Sequence, residues 1–190
     1  MQHPNKILRD FKRLHRFYED GEVFTAFDTE TTDISPSTGR IMEIGAIKFN
    51  KDGVIGEFSK LINPERLIPP FITSLTHITQ DMVKDCPVMK DVLPAFLDFI
   101  SDSILIAHNA QFDLNFLNAE CEWANLPLTK NRCIDTLQYS RWTVPNVEKH
   151  KLDFLADTFK INKGSSHRAF DDARVCMELY KLFCKMNQDI

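Results

Sequence analysis

A chain of 190 residues with 43% hydrophobic and 26% charged content has the make-up of a soluble globular protein and suits one domain with a sizeable core. Its 27 acidic and 23 basic residues leave a net charge of −4, which argues against wrapping long duplex nucleic acid. No stretch approaches the ~18 consecutive apolar residues of a membrane helix, and no apolar segment follows the basic N-terminus as in a secretory leader. The five cysteines are odd in number and form no C-x-x-C pair, which predicts free thiols and a cytoplasmic, reducing location.

Residues 1–20 stand apart from the rest. Ile7, Phe11, Leu14 and Tyr18 fall at helical spacing, with Lys6, Arg9, Lys12, Arg13 and Arg16 around them. This predicts a basic amphipathic N-terminal helix, either packed on the domain or touching nucleic acid or a partner. Residues 21–190 form the main domain. Strands are expected at about 23–28, 41–49 and 54–62, and Lys51-Asp52-Gly53 marks a hairpin between the last two. Asn63 to Thr79 reads as loop, punctuated by Pro64, Pro69 and Pro70. A short helix capped by Thr79 follows, then an apolar helical face at Val88, Val92, Phe96 and Ile100, with a kink expected at Pro94. A fourth strand spans 104–108 and a helix runs from about 111 to 124. A short strand near 131–134 leads into a helix capped by Asp135, and helices near 151–159 and 169–186 complete the chain. A meander followed by alternating strands and helices predicts an α/β fold with a mixed central sheet flanked by helices.

The chemistry lies at element edges. In Val-Phe-Thr-Ala-Phe-Asp-Thr-Glu, a strand-like run ends in Asp28 and Glu30, which share a face of the strand. Two carboxylates beside a buried strand repel each other and lose solvation. A hard divalent cation with oxygen ligands relieves both costs. A second apolar run ends in His108-Asn109, with Asp113 in the first turn of the next helix, where the helix dipole also favours an acid. A third segment, His167-Arg-Ala-Phe-Asp-Asp172, opens the last helix. Helical periodicity puts Asp172 on the face of Cys176, Leu179, Tyr180 and Phe183, and Asp171 on the solvated face of Arg174, Glu178 and Lys185. Asp172 is therefore the acid turned to the body of the protein. Gly164-Ser165-Ser166 before His167 marks a mobile loop.

The pieces DTETT (28–32), HNAQFD (108–113) and HRAFDD (167–172) resemble the DEDDh 3′-to-5′ exonucleases, and within them the proofreading (epsilon) subunits of bacterial DNA polymerase III. Weaker matches are GRIMEIGAIKF (39–49), LINPERLIP (61–69), CIDTLQYSR (133–141) and HKLDFLADTF (150–159), so the resemblance covers about residues 23–185. It implies a ribonuclease H-like fold and a site holding two divalent cations, Mg²⁺ or Mn²⁺. Asp28 would bridge both ions, Glu30 and Asp172 would ligate, and Asp113 would help hold the second, directly or through water. His167 would be the general base. Thr31 would hold the terminal nucleotide through its backbone, Ile34 would wedge beside the last base, and His108 and Phe112 would line the pocket. For Ile34 and Phe112 plain core packing is the alternative. Glycine is usual in the family where Asp33 stands, a departure that bears on the loop of Ile34, and common at His77, which either reaches the nucleotide or is an exposed loop residue.

The implied activity is hydrolysis of single-stranded or frayed DNA 3′ ends to nucleoside monophosphates, in replication proofreading or repair, with a DNA polymerase as an implied partner. Three alternatives stand beside it. RNA 3′ ends, as for RNase T or oligoribonuclease, differ by a 2′-hydroxyl that no residue here settles. A haloacid-dehalogenase-type phosphatase needs aspartate at position 30. A binding module without catalysis has no need of clustered acids. Only 18 residues follow Asp172, fewer than the usual tail of the polymerase subunit, which leaves open a stand-alone nuclease, a piece of a longer protein or a domain that docks otherwise.

Overall fold

The computed structural model describes residues 5–165 and 167–188. Its six-stranded sheet has the order β1 (Lys6–Ile7), β6 (Arg132–Asp135), β5 (Ile104–Ala107), β2 (Phe24–Thr31), β3 (Ile41–Asn50) and β4 (Gly53–Leu61). Strands β2 (Phe24–Thr31), β3 (Ile41–Asn50) and β4 (Gly53–Leu61) form the antiparallel meander. The hairpin turns where Gly53 adopts a positive φ of 143° and Asn50 Oδ1 accepts from the Asp52 amide. Strands β5 (Ile104–Ala107) and β6 (Arg132–Asp135) pair in parallel, β5 with β2 and β6 with β5. The mixed sheet expected from the sequence is therefore formed.

Two apolar layers cover it, as strand alternation dictates. On one face Phe24, Ala26, Ile47 and Phe49 pack against Leu179, Tyr180 and Phe183 of α8 (Ala169–Met186), with α6 (Thr136–Thr143) and α7 (Leu152–Phe159) alongside. On the other, Phe27, Ile44, Ala46 and Leu105 meet α4 (Met89–Ile100) and α5 (Gln111–Trp123). Helix α4 continues through Pro94. A satellite cluster puts Met42 under Ile68, Ile72, Ile78 and Val83.

That cluster contains a helix where the prolines predict a loop. Helix α2 (Pro70–Thr76) begins at Pro70, because proline fits the first helical position, where an amide has no intrahelical partner. It stops at His77, which takes the left-handed conformation (φ 59°) that favours glycine, so the residue at this position closes a helix. The His77 side chain is exposed. Helix α3 (Gln80–Val83) follows, with the Thr79 side chain accepting from the Met82 amide as expected.

The N-terminal segment departs from the expected single helix. Residues 1–4 lie outside the described residues. Lys6–Ile7 forms β1, parallel to β6, and helical structure begins at a 3₁₀ turn (Phe11–Arg13) continuing into α1 (Leu14–Glu19). Ile7 packs on the α4/α5 face, whereas Phe11, Leu14 and Tyr18 pack on the α8 face. Leu14 is 1% exposed, and its carbonyl accepts from the Tyr180 hydroxyl at 3.0 Å. Deleting residues 1–20 is expected to cost several kcal/mol, about 10 °C in Tm, through Leu14 and the uncovered aromatic core. An unchanged melting curve would contradict that role.

Candidate active site

Strands β2, β5 and β6 run parallel, so their carboxyl ends meet at one edge of the sheet, the position where α/β sheets bind ligands. Asp28 and Glu30 project from β2 toward the α8 face, the face of Phe24 and Ala26. Thr29, between them, points the other way and holds Asp113 of α5. Its amide and hydroxyl both donate to Asp113 Oδ1, at 3.0 and 2.7 Å. The pleat of one strand thus sorts two acids to one side and anchors a third from the other.

Strand β3 brings the fourth acid. Gly45 lies opposite Asp28 in the β2–β3 ladder, and a Cβ there would fall inside the backbone of Ala169 and Phe170. Only glycine lets the first turn of α8 approach that closely, and Asp172 rides on this turn. Glu43, opposite Glu30, is 2% exposed. Its carboxylate accepts from the Ala169 amide at 3.0 Å and takes Arg168 bidentately, with Nη2–Oε1 at 2.7 Å. A strand carboxylate therefore caps α8 and neutralises its own buried charge. Gly45→Ala is expected to cost about 3 kcal/mol or more through backbone displacement. It should lower turnover as well, since Asp172 must move; a variant with wild-type Tm and rate would contradict this packing.

The resulting cleft, about 270 Å³, is lined by Asp28, Glu30, Asp113, Asp172 and His167, with His108, Asn109, Phe112, Lys151 and Asp153 around them. Burial raises all four carboxyl pKa values. Asp28 is held well above the usual range, first by desolvation and then by Asp113, Glu30, Asp172 and Glu43. Glu30 is pushed up to about 8 by burial, then by Asp172 and Glu43. Burial lifts Asp113 to about 7 against the two Thr29 hydrogen bonds. Burial and then Asp153 lift Asp172 to about 7. Among the described residues no lysine or arginine forms an ion pair with any of the four; the nearby Arg168 is engaged by Glu43. Mutually repelling buried carboxylates without a resident cation fit hard divalent ions. Ligand atoms of Glu30, Asp172 and His167 lie within 4.8 Å of one another.

His167 has a left-handed backbone (φ 60°), and its amide donates to Asp172 Oδ2 at 3.2 Å. Its Nε2 stands 3.9 Å from Asp153 Oδ2. The loop before it is anchored by Asp171, which accepts from the Ser165 amide and pairs with Arg174, so Asp171 is less solvated than its helical position suggests.

The RNase T exonuclease family model matches residues 25–180. The chain belongs to this exonuclease family. DNA polymerase III subunit epsilon of Treponema pallidum is 43% identical over 160 residues, covering 83% of this chain and 74% of that protein. The PolC-type DNA polymerase III of Caldanaerobacter subterraneus is 38% identical over 171 residues, covering 90% of this chain but 12% of that much longer protein. Among solved structures, exonuclease X in complex with 5′-overhanging duplex DNA superposes with a TM-score of 0.68 at 28% identity, over 87% of this chain and 92% of that one.

In this exonuclease domain the five residues expected to carry the chemistry share one cleft. Of the expected substrate contacts, His108 and Phe112 line it, whereas Thr31 and Ile34 do not. Thr31 is 7% exposed and donates its hydroxyl to the Asp33 carbonyl. Ile34, 79% exposed, tips a loop that Asp33 organises by accepting from the Ile34 amide and the Thr38 hydroxyl. Core packing of Ile34 is thereby excluded. His108 Nε2 donates to the His150 carbonyl at 2.8 Å, which leaves Nδ1 to accept from the Thr136 hydroxyl. Burial lowers its pKa, in keeping with a neutral ring. Glu43, Gly45, Arg168, Lys151 and Asp153 were not singled out from sequence, although Glu43 and Gly45 lie in GRIMEIGAIKF and Lys151 and Asp153 in HKLDFLADTF. Among the described residues no helix is long and apolar enough to cross a membrane.

Proposed function

We propose that this exonuclease domain is a divalent-metal-dependent enzyme that removes nucleotides from the 3′ end of single-stranded or frayed DNA, releasing nucleoside monophosphates. The observation that carries the reading is the convergence of Asp28, Glu30, Asp113 and Asp172 with His167 in one cleft at the strand ends. Asp28, Glu30, Asp113 and Asp172 would hold two cations, Mg²⁺ or Mn²⁺, whose oxygen preference suits an all-carboxylate set. Such ions supply charge neutralisation at the scissile phosphate and at the attacking and leaving oxygens. The chain's own residues do the rest. Thr29 fixes the Asp113 carboxylate, Glu43 and Gly45 fix the helix bearing Asp172, and His167 accepts the proton of the attacking water. The Phe112 ring and the His108 ring face offer an apolar wall to the terminal nucleotide, while the Thr31 backbone and exposed Ile34 would grip and wedge its base. Similarity to the epsilon subunit and to PolC-type polymerases supports a DNA polymerase as partner and a role in proofreading or repair.

The test is product analysis on 5′-labelled single strands. A ladder shortening from the 3′ end, mononucleotide product, protection by a blocked 3′ terminus and loss of activity in EDTA are expected. Equal cleavage of the blocked strand would point to an endonuclease or to the opposite polarity. Faster cleavage of a matched RNA would move the substrate to RNA.

A further inference from the structure

A second cleft opens directly from the active one. It has about 610 Å³ and shares His108, Asn109, Lys151 and Leu152 with the first, so the two are continuous. Their charge is opposite. The active cleft carries five acids, whereas the second is lined by Arg141, Lys149 and Lys151 with a single acid, Glu148, among the described residues. In a chain of net charge −4 this is a local concentration of cations. Many other basic side chains are spent on ion pairs, as in Arg40–Glu120, Arg168–Glu43, Arg132–Glu22 and Lys163–Asp157. Arg141 and Lys151 are in none among the described residues, and Lys149 pairs only with its exposed neighbour Glu148.

The segment that carries Lys149 and Lys151 is tied both to the end of β5 and to α6, the helix of Arg141. The His150 carbonyl accepts from His108 Nε2 at 2.8 Å, and His150 Nδ1 bonds the Ser140 hydroxyl of α6 at 2.9 Å. His108 follows β5 directly, at the same sheet edge as Asp28 and Glu30. The backbone between Lys149 and Lys151 is therefore anchored beside the acidic cleft.

We propose that this basic groove binds the phosphodiester backbone of the substrate strand on the 5′ side of the scissile phosphate. The inference rests on the nuclease reading above and extends it. A strand whose 3′ terminus lies in the acidic cleft must leave it, and the groove is an adjoining path of opposite charge. Leu137 and Leu152 give it apolar wall for sugars and bases, and Arg141, Lys149 and Lys151 face successive phosphates. Contacts of this kind add affinity without reading sequence.

The test compares the full chain with Arg141→Gln/Lys149→Gln on two substrates. The p-nitrophenyl ester of thymidine 5′-monophosphate ends at the reacting phosphate and reports the acidic cleft alone. A short single-stranded oligodeoxynucleotide reaches the groove. The double variant should hydrolyse the ester at the unmodified rate and show a raised KM for the oligonucleotide. The slope of log KM against log salt should flatten by about 1.4, or 0.7 for each lost phosphate contact. Equal effects on both substrates, or none on either, overturn the proposal. Anisotropy of the labelled oligonucleotide in EDTA reads the groove without turnover, so a protein that cleaves neither substrate refutes the nuclease reading while the groove is still decided by its salt slope. If the variant keeps its affinity for the strand and loses it for polyglutamate, the groove belongs to an acidic protein partner and the proposal fails.

Discussion

Asp28→Asn is expected to lower exonuclease turnover by more than about a thousandfold while making the metal-free protein more stable. The loss would follow from the proposed role of Asp28 as a ligand to cations worth several kcal/mol in the transition state. The gain follows from the site's own electrostatics. Asp28 is desolvated and faces Asp113, Glu30, Asp172 and Glu43, so its charge is disfavoured in the folded state. A carboxyl whose folded pKa is raised binds more protons folded than unfolded between the two values. Its cost is absent below about pH 4, grows as pH rises, and is complete above the folded value, which for Glu30 is about 8. The Tm of the metal-free protein should therefore fall between about pH 4 and pH 8, more steeply in the wild type than in Asp28→Asn. Saturating Mg²⁺ or Mn²⁺ should raise the wild-type Tm and flatten the trend. Calorimetry across that range, with and without metal, checks each point. A wild-type Tm that climbs steadily with pH in EDTA would show that the four acids are not mutually destabilising. Asp172→Ala should lose turnover as severely as Asp28→Asn, whereas Asp171→Ala, which frees only the Ser165 amide and Arg174, should retain most of it.

His167→Ala is expected to reduce turnover by about 10²–10⁴-fold, the usual worth of a positioned general base. The binding of metal and DNA should change little, since the four carboxylates remain. Without the base, the variant's rate should rise with hydroxide concentration, since hydroxide needs no proton acceptor. Its backbone role complicates an alanine, because the His167 amide donates to Asp172 from a left-handed conformation. His167→Asn tolerates that conformation better and keeps the amide bond. If both variants cleave at the wild-type rate near neutral pH, another group takes the proton.

The candidate site was legible in the sequence to the extent that its geometry obeyed local periodicity. Strand alternation put Asp28 and Glu30 on one face, and the helical period separated Asp172 from Asp171 without any tertiary information. Asp135 and Thr79 were readable as caps because capping is a matter of one or two residues. The failures share a different cause. Ile7, Phe11, Leu14 and Tyr18 fit a helix by spacing, but Ile7 and the other three lie on opposite sides of the sheet, and the period cannot show where a chain crosses a sheet edge. Pro69 and Pro70 read as breakers, although Pro70 starts a helix. Glu43, Gly45 and Arg168 matter through a pairing of β3 with α8 that joins residues 125 apart, which no window on the sequence contains. Lys151 and Asp153 reach the cleft because the His108–His150 hydrogen bond ties their segment to β5.

The pairing of Lys6 and Ile7 with Arg132 and Cys133 has a kinetic consequence. The first described strand closes the sheet on the last one, so among the strand pairings its contacts carry the longest loop-closure cost and should form late. Until they form, β6 is a bare strand edge with unpaired amides and carbonyls beside the buried side chain of Cys133. Such an edge is a template for a second chain. During refolding at high protein concentration, self-association should therefore compete with the return of the N-terminal segment, and a short peptide copying that segment should suppress it.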